Sequence, residues 1–374
     1  MDVQARLTEL AKLPPAGRPV VSVYLNTRWT DEEQRERVRI FLKNRLRAAR
    51  AAAPDRPADA DLDWIEAQGH RLVAGDQASE ASGVALFAGG DGLREILPIR
   101  TAFDDAFVVD NTAYLRPLAG ATEEIAPSLV VFVDGTHARL LVITPHGPGE
   151  EVALQADIRG RHSAGGWAAL AQSRYQRRIE EHRGHHYEAT AGAVGDLVKR
   201  HGVQRIVLAG EGRAVALFRD HLPADVARRV VGVLPAAGHE SMATVARRAA
   251  ERLAQVEAQD DATAVDRLLD TAAKGGRAVA GVESTLEAVN RNAVQQLYLM
   301  PEFERTGVVC DGCAALQPTS VGPCRFCASA THLTELGEAM VGRVLASGGS
   351  VGVVQRHPGL AEHEGVGAIL RYAA

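Results

Sequence analysis

Four cysteines, all between positions 310 and 327, form the pairs Cys310-Asp-Gly-Cys313 and Cys324-Arg-Phe-Cys327, with ten residues between them. Two thiols three positions apart can be aimed at one ion by a tight turn. Two such turns supply the four thiolates of a tetrahedral zinc site. Gly312, Gly322 and Pro323 suit those turns. The alternative is a set of free or disulfide-linked thiols. Four protein ligands close the coordination shell, so the zinc expected at Cys310, Cys313, Cys324 and Cys327 is structural.

The second group is Arg159-Gly-Arg161-His162-Ser-Ala-Gly165-Gly166-Trp167, leading into a long helical stretch. Paired glycines let backbone amides approach a ligand without side-chain obstruction. Arg174, Arg177 and Arg178 then share one helical face, opposite a stripe of Tyr175 and Ile179. From Arg159 to His186 there are six arginines and four histidines against two glutamates. That balance suits a phosphate backbone, and it equally describes a surface loop followed by a solvated amphipathic helix.

Three weaker candidates stand beside these. Gly210-Glu-Gly212 follows an apolar run as a dinucleotide loop would, but Val215 occupies the third glycine position. Asp134 lies where acids at strand ends serve metals, yet Asp-Gly is first a turn former. His182, His185 and His186 are clustered, a pattern that a helix exposes or packs more often than it ligates.

The elements that must hold these groups alternate between strand and helix. An N-terminal region has a strand at 20–25, a helix over 31–53 with Val38, Phe41, Leu42 and Leu46 on one face, and strands at 83–88 and 93–99. Strands at 129–133 and 138–143 flank Asp134-Gly135 as a hairpin. A third strand follows, then a helix over about 168–201 in which Tyr175, Ile179, His182, His186, Ala189 and Ala193 repeat at spacings of three or four. A strand at 205–209 and helices at 214–221 and 241–258 complete the central region. Beyond it lie strands at 294–300, 351–354 and 367–372. The predicted architecture is a multidomain α/β protein of three α/β domains, 1–125, 126–260 and 261–374, the last with a four-cysteine insert at 308–330.

The chain has 374 residues, 42 basic and 47 acidic side chains, and a net charge of −5. This length accommodates two or three cores and argues against disorder or a small disulfide scaffold. The net charge argues against indiscriminate coating of nucleic acid while permitting a local basic patch. No apolar run approaches the ~20 residues of a membrane span, and the N-terminus has no secretory h-region. A cytoplasmic protein with no membrane and no DNA partner is expected.

Taken in order, these features resemble the bacterial branch of the archaeal and eukaryotic peptide-release-factor family, with its Pelota-like and Balon-like members, over residues 126–374. Val131-Phe-Val-Asp-Gly-Thr-His-Ala-Arg139 resembles the family's central hairpin. Arg161-His162 with Gly165-Gly166, then Arg174-Tyr175-Gln176-Arg177, resembles its loop and arginine-bearing helix. Glu364-Gly-Val-Gly-Ala-Ile-Leu-Arg-Tyr372 resembles its closing strand, and some members carry a four-cysteine insert. The resemblance implies an RNase H-like central domain and a ribosomal-protein L7Ae-like C-terminal domain with a zinc-ribbon insert. It also implies a tRNA-like pose in the ribosomal A site, with the N-terminal domain at the decoding centre. The Gly165-Gly166-Trp167 tip would reach the peptidyl-transferase centre and the tRNA end. Arg159, Arg161, His162, Arg174, Arg177 and Arg178 would contact RNA, and a translational GTPase would dock on the C-terminal domain. Trp167 stands where the family has glutamine. Hibernation or stress protection is therefore expected ahead of peptidyl-tRNA hydrolysis in release or rescue.

Overall fold

The computed structural model describes residues 3–13, 19–28, 32–52, 57–75, 81–89, 92–99, 102–123, 127–144, 147–155, 168–318 and 322–372. Four sheets organise them into two compact units, Met1–Glu124 with Ala258–Ala374, and Ile125–Glu257. The mixed α/β, multi-sheet architecture expected from the sequence is observed.

The first unit begins with α1 (Val3–Ala11), β1 (Val20–Asn26), α2 (Glu32–Ala51), α3 (Asp59–Ala74), β2 (Gly83–Gly89), β3 (Leu93–Ile99), β4 (Ala106–Asp110) and α4 (Arg116–Glu123). Its sheet has the order β3-β2-β1-β4, antiparallel throughout. Alternation along β1 sends its residues to two faces. Val21, Val23 and Leu25 meet Val38, Leu42, Leu46, Leu62 and Ile65 of the two long helices. Tyr24 turns the other way, edge-on to Phe87, Phe103 and Tyr114. The largely apolar run at 20–25, with Ser22 as its polar member, is thus a strand buried on both sides.

The second unit contains β5 (Ser128–Val133), β6 (His137–Thr144), β7 (Gly147–Gln155), α5 (Ala168–His201), β8 (Arg205–Gly210), α6 (Gly212–Arg219), α7 (Ala224–Ala227), β9 (Val230–Pro235) and the first half of α8 (Met242–Ala273). Strand order is β7-β6-β5-β8-β9, with β5, β6 and β7 antiparallel and β5, β8 and β9 parallel. This is the RNase H-like order. Leu129, Val131 and Val133 face α5 and α6, while Val130 and Phe132 face Val245, Ala246 and Ala249 of α8.

On α5, His186 is buried and Ala193 packs against the core, while the side chains of Tyr175 and Ile179 lie outside the described residues. Tyr187, Ala191, Val194, Leu197 and Val198 enter the core, whereas Ala189 is exposed. Histidine and alanine periodicity indicated the helix but not its rotation. The larger apolar side chains one position on settle it, because they remove more area from water.

The α8 helix also runs past its predicted end at 258. No glycine or proline interrupts 242–273, and Val265 and Leu268 provide a second buried patch at its far end. The chain then forms β10 (Ala278–Ala280), α9 (Val282–Asn290), β11 (Val294–Leu299), β12 (Thr306–Cys310), β13 (Leu316–Pro318), β14 (Thr331–Glu335), α10 (Leu336–Ala346), β15 (Ser350–Val353), α11 (Pro358–Glu362) and β16 (Val366–Leu370). These make a mixed sheet, β10-β16-β11-β15, and a small sheet, β13-β12-β14, inserted between β11 and α10.

Within the first unit the two chain segments are locked by buried charge. The Arg116 guanidinium donates to the Phe303, Met300 and Pro301 carbonyls at 2.7, 2.6 and 2.9 Å. Glu338 of α10 accepts from the Leu115 and Arg116 amides at 2.5 and 3.3 Å. Burial pushes the Glu338 carboxyl up to about 7, against the pull of those two amides. Among the described residues, no helix is long and apolar enough to cross a membrane.

Candidate functional site

The inserted sheet brings all four cysteines together. Their Sγ atoms lie within 4.8 Å of one another, with Cys310 to Cys327 at 3.4 Å and Cys313 to Cys324 at 3.7 Å. A disulfide needs about 2.05 Å, so these are free thiols. Zinc with Zn–S bonds of about 2.3 Å sets tetrahedral sulfurs about 3.8 Å apart, which the observed spacings fit.

The two turns are built alike. In the first, the Gly312 and Cys313 amides donate to Cys310 Sγ at 3.3 and 3.4 Å. In the second, the Phe326 amide donates to Cys324 Sγ at 3.4 Å. Each turn closes with an alanine amide donating to the first cysteine's carbonyl, Ala314 to Cys310 and Ala328 to Cys324, both at 2.9 Å. Those alanines hold φ of 56° and 62°. A non-glycine residue enters that region only when its surroundings impose it. Two copies of one strained turn therefore face one point, and amides aimed at sulfur favour the thiolate. Gly312 is required: a Cβ there would fall 2.4 Å from Ser329 Oγ and 3.5 Å from Cys327 Sγ.

The thiols oppose one another's ionisation. The Ser329 hydroxyl and amide draw Cys327 down to about 6. Cys313, although the Ala315 amide favours its thiolate, is pushed up to about 12 by Cys327 and the other sulfurs. A divalent cation at the centre would relieve that opposition. The turns are also anchored from behind. Gln317, almost fully buried, donates to Cys324 Sγ at 3.5 Å and accepts from the Arg325 amide at 3.0 Å. Asn290 of α9 pairs with both backbone groups of Leu316, and Arg343 of α10 donates to the Ala314 carbonyl at 2.7 Å.

Arg159, Arg161, His162, Gly165, Gly166 and Trp167 lie outside the described residues. Arg174, Arg177 and Arg178 belong to α5, and their side chains lie outside the described set.

At the other end of α5 the weaker candidates resolve. Asp134 Oδ1 accepts from the Thr136 and His137 amides, both at 2.7 Å, and closes the β5–β6 hairpin. Partial burial opposes its charge, but those amides hold it below the ordinary carboxylate range. It is a turn residue. Val215 is buried, and Gly210 at φ 150° abuts the Val133 carbonyl, 2.3 Å from where a Cβ would stand. Gly210-Glu-Gly212 is therefore a strand-to-helix turn packed on its neighbour strand. His185 pairs with Glu188 at 3.6 Å on the surface. His186 is buried, and desolvation lowers its pKa. Among the described residues, only the four cysteines gather as metal-ligating groups.

Sequence reasoning missed Arg116 and Glu338, whose partners lie far along the chain. It also missed the paired alanines, although Cys-Ala after each Cys-x-x-Cys was a visible repeat. The chain compares with known proteins as follows. Residues 114–254 match the model of bacterial archaeo-eukaryotic release factor family 10. No curated protein matches the chain. Among solved structures, an archaeal translation termination factor is 16% identical, covering 99% of this chain and 97% of its own, with a TM-score of 0.27. Archaeoglobus fulgidus Pelota is 17% identical, covering 78% and 84%, with a TM-score of 0.37. Ribosome-bound archaeal Pelota is 17% identical, covering 76% and 73%, with a TM-score of 0.43.

Proposed function

We propose that this chain, whose residues 114–254 match the model of bacterial archaeo-eukaryotic release factor family 10, is a cytoplasmic translation factor that binds the ribosomal A site in a tRNA-like pose. The family match carries this reading: it covers the β5–β6 hairpin, the arginine-bearing first half of α5 and the β8 strand. In this reading the domains 1–125, 126–260 and 261–374 act as three functional parts. The N-terminal part faces the decoding centre, the 159–167 segment reaches toward the peptidyl-transferase centre and tRNA end, and the C-terminal part receives a translational GTPase.

Arg159, Arg161, His162, Arg174, Arg177 and Arg178 supply phosphate contacts. Each neutralised phosphate releases counterions, so binding weakens steeply with salt. At the tip, Trp167 offers a π-face to an unpaired base and no amide side chain to orient water. That chemistry favours occupancy, as in hibernation or stress protection, over hydrolysis. Cys310, Cys313, Cys324 and Cys327 hold a zinc ion whose closed shell supplies rigidity and no reaction chemistry.

Co-sedimentation of the purified chain with intact ribosomes across a salt series tests the reading. Saturable, salt-sensitive binding displaced by A-site tRNA is expected; absence of binding at low salt overturns it. The second reading, peptidyl-tRNA hydrolysis in release or rescue, rests on the Gly165-Gly166 pair, whose following amide can donate to a developing oxyanion whatever the side chain. It requires nascent-chain release above the buffer rate and loss of that release in Gly166→Ala.

A further inference from the structure

The α2 helix sorts its charge by position. Its acids, Glu32, Glu33 and Glu36, sit at its start, where the helix dipole favours them. From Val38 to Ala51 there are five basic residues and no acidic one. Several cations of α2 have internal duties: Arg35 donates to the Val73 carbonyl, Arg37 pairs with Asp105, and Arg50 pairs with Asp63 and Glu66. The Arg45 guanidinium lies over the Phe41 ring, 5.5 Å from its centroid. Among the described residues, Glu33, Lys43 and Arg47 have no partner of opposite charge, and all three are exposed. Between them Ile40 is 51% exposed.

These groups share one face. At the helical period, Glu33, Glu36, Arg37, Lys43, Asn44 and Arg47 all lie within about 60° of Ile40. The face is mainly acidic before Ile40 and basic after it, and its two halves match. Glu36 and Lys43 stand on one side of the line through Ile40, about 6 and 4.5 Å from it in opposite directions along the axis. Arg37 and Asn44 stand on the other side. Glu33 and Arg47 lie near the line, each about 10.5 Å from Ile40. A two-fold axis at Ile40 sets a second α2 antiparallel to the first, with Glu36 opposite Lys43, Glu33 opposite Arg47, and neutral Asn44 opposite Arg37. Ile40 then meets its own copy at the centre, as an isologous contact requires. Glu36 also touches Arg39 at the surface, a pair worth little and easily exchanged. A nucleic-acid strand would meet two carboxylates at one end of this face, and a protein surface of one sign would be repelled at one end or the other. A second copy of the chain meets opposite charge at both ends, the complementarity that selects partner and register.

We infer that the exposed face of α2, centred on Ile40, is a self-association surface that pairs two copies of this chain antiparallel about a two-fold axis. One helix pair buries less than the ~1,600 Å² of a standard interface, so the dimer is weak and exchanges with monomer. Its exposed ion pairs make it sensitive to salt. The inference rests on α2 alone and holds whether or not the chain binds ribosomes.

Sedimentation velocity of the nuclease-treated, full-length chain over a concentration series tests it. Wild type should pass from monomer toward dimer as concentration rises, and added salt should weaken the dimer. E33K/E36K makes the face basic, and K43E/R47E makes it predominantly acidic. Each variant alone should dimerise about tenfold or more weakly than wild type. An equimolar mixture of the two should associate again, because the cations of one face then meet glutamates of the other across the axis. All four positions are exposed, so circular dichroism of each variant should match wild type, and recovery in the mixture separates pairing from misfolding. I40D, which places two carboxylates at the axis, should be monomeric. A wild-type chain that stays monomeric at every concentration overturns the inference. So do variants that dimerise as well as wild type, and folded variants that fail to associate when mixed.

Discussion

At the residue scale, the four sulfurs and Glu338 each hold a charge state that their surroundings oppose. Four converging thiolates are mutually repulsive unless a cation neutralises them. Metal analysis of the purified chain should find close to one zinc per molecule. Cys310→Ser and Cys324→Ser, at the two buried ligands, should each bring that well below one, and a yield far below one in wild type would refute the site. Glu338 behaves differently because burial disfavours its charged form by more than the Leu115 and Arg116 amides favour it. Its folded value of about 7 lies above the ordinary 4.5, so folding takes up a proton between those two values. Its stabilisation is full below about pH 4.5 and is lost as pH rises through about 7. Glu338→Gln should flatten the pH dependence of thermal stability across that window, by up to about 3 kcal/mol. An unaltered pH profile would show that the carboxyl is already ionised there.

At the element scale, α5 lies on the central sheet through Tyr187, Val194 and Leu197, and two of its details give opposite expectations. The Tyr187 hydroxyl is buried with no partner among the described residues. An unsatisfied buried hydroxyl costs about 1–3 kcal/mol. Tyr187→Phe should therefore leave the melting temperature unchanged or raise it, as chemical denaturation can check. Gly210→Ala should destabilise by about 2 kcal/mol or more, since its Cβ would be driven into the Val133 carbonyl and its φ is unfavourable for alanine. A melt equal to wild type would mean that the β5–β8 pair relaxes apart locally. Much of this element layer was legible beforehand. Asp134-Gly135 announced the hairpin, and apolar runs at 129–133 and 205–209 announced buried strands. The rotation of α5 and the continuation of α8 were not legible, because both depend on which face finds a partner surface.

At the scale of the molecule, the first unit is assembled from the two ends of the chain. Arg116→Ala would leave the buried Phe303 carbonyl and the partly buried Met300 and Pro301 carbonyls without their charged donor, and should cost about 2–4 kcal/mol in denaturant unfolding. A loss under 0.5 kcal/mol would show that water replaces the guanidinium there. In the proposed A-site reading the arginines of α5 bear on RNA instead. Reversing Arg174 and Arg177 to glutamate should weaken ribosome co-sedimentation and reduce its salt slope by about two, with unchanged binding counting against an RNA role for that helix.

Local chemistry by itself determined the four-cysteine cluster, the alternation of strands and helices, and the resemblance that the central family match bears out. Each is written in residues close along the chain, where turn geometry and side-chain periodicity act directly. Only the tertiary structure decided which residues share a core across long separations: Arg116 with Phe303, Leu115 with Glu338, and the anchoring of the cysteine turns by Asn290 and Arg343. It also decided that the cations of α2 divide into those spent on internal partners and those left facing water. Burial and partner choice depend on what the rest of the chain brings near, and no window of sequence contains that.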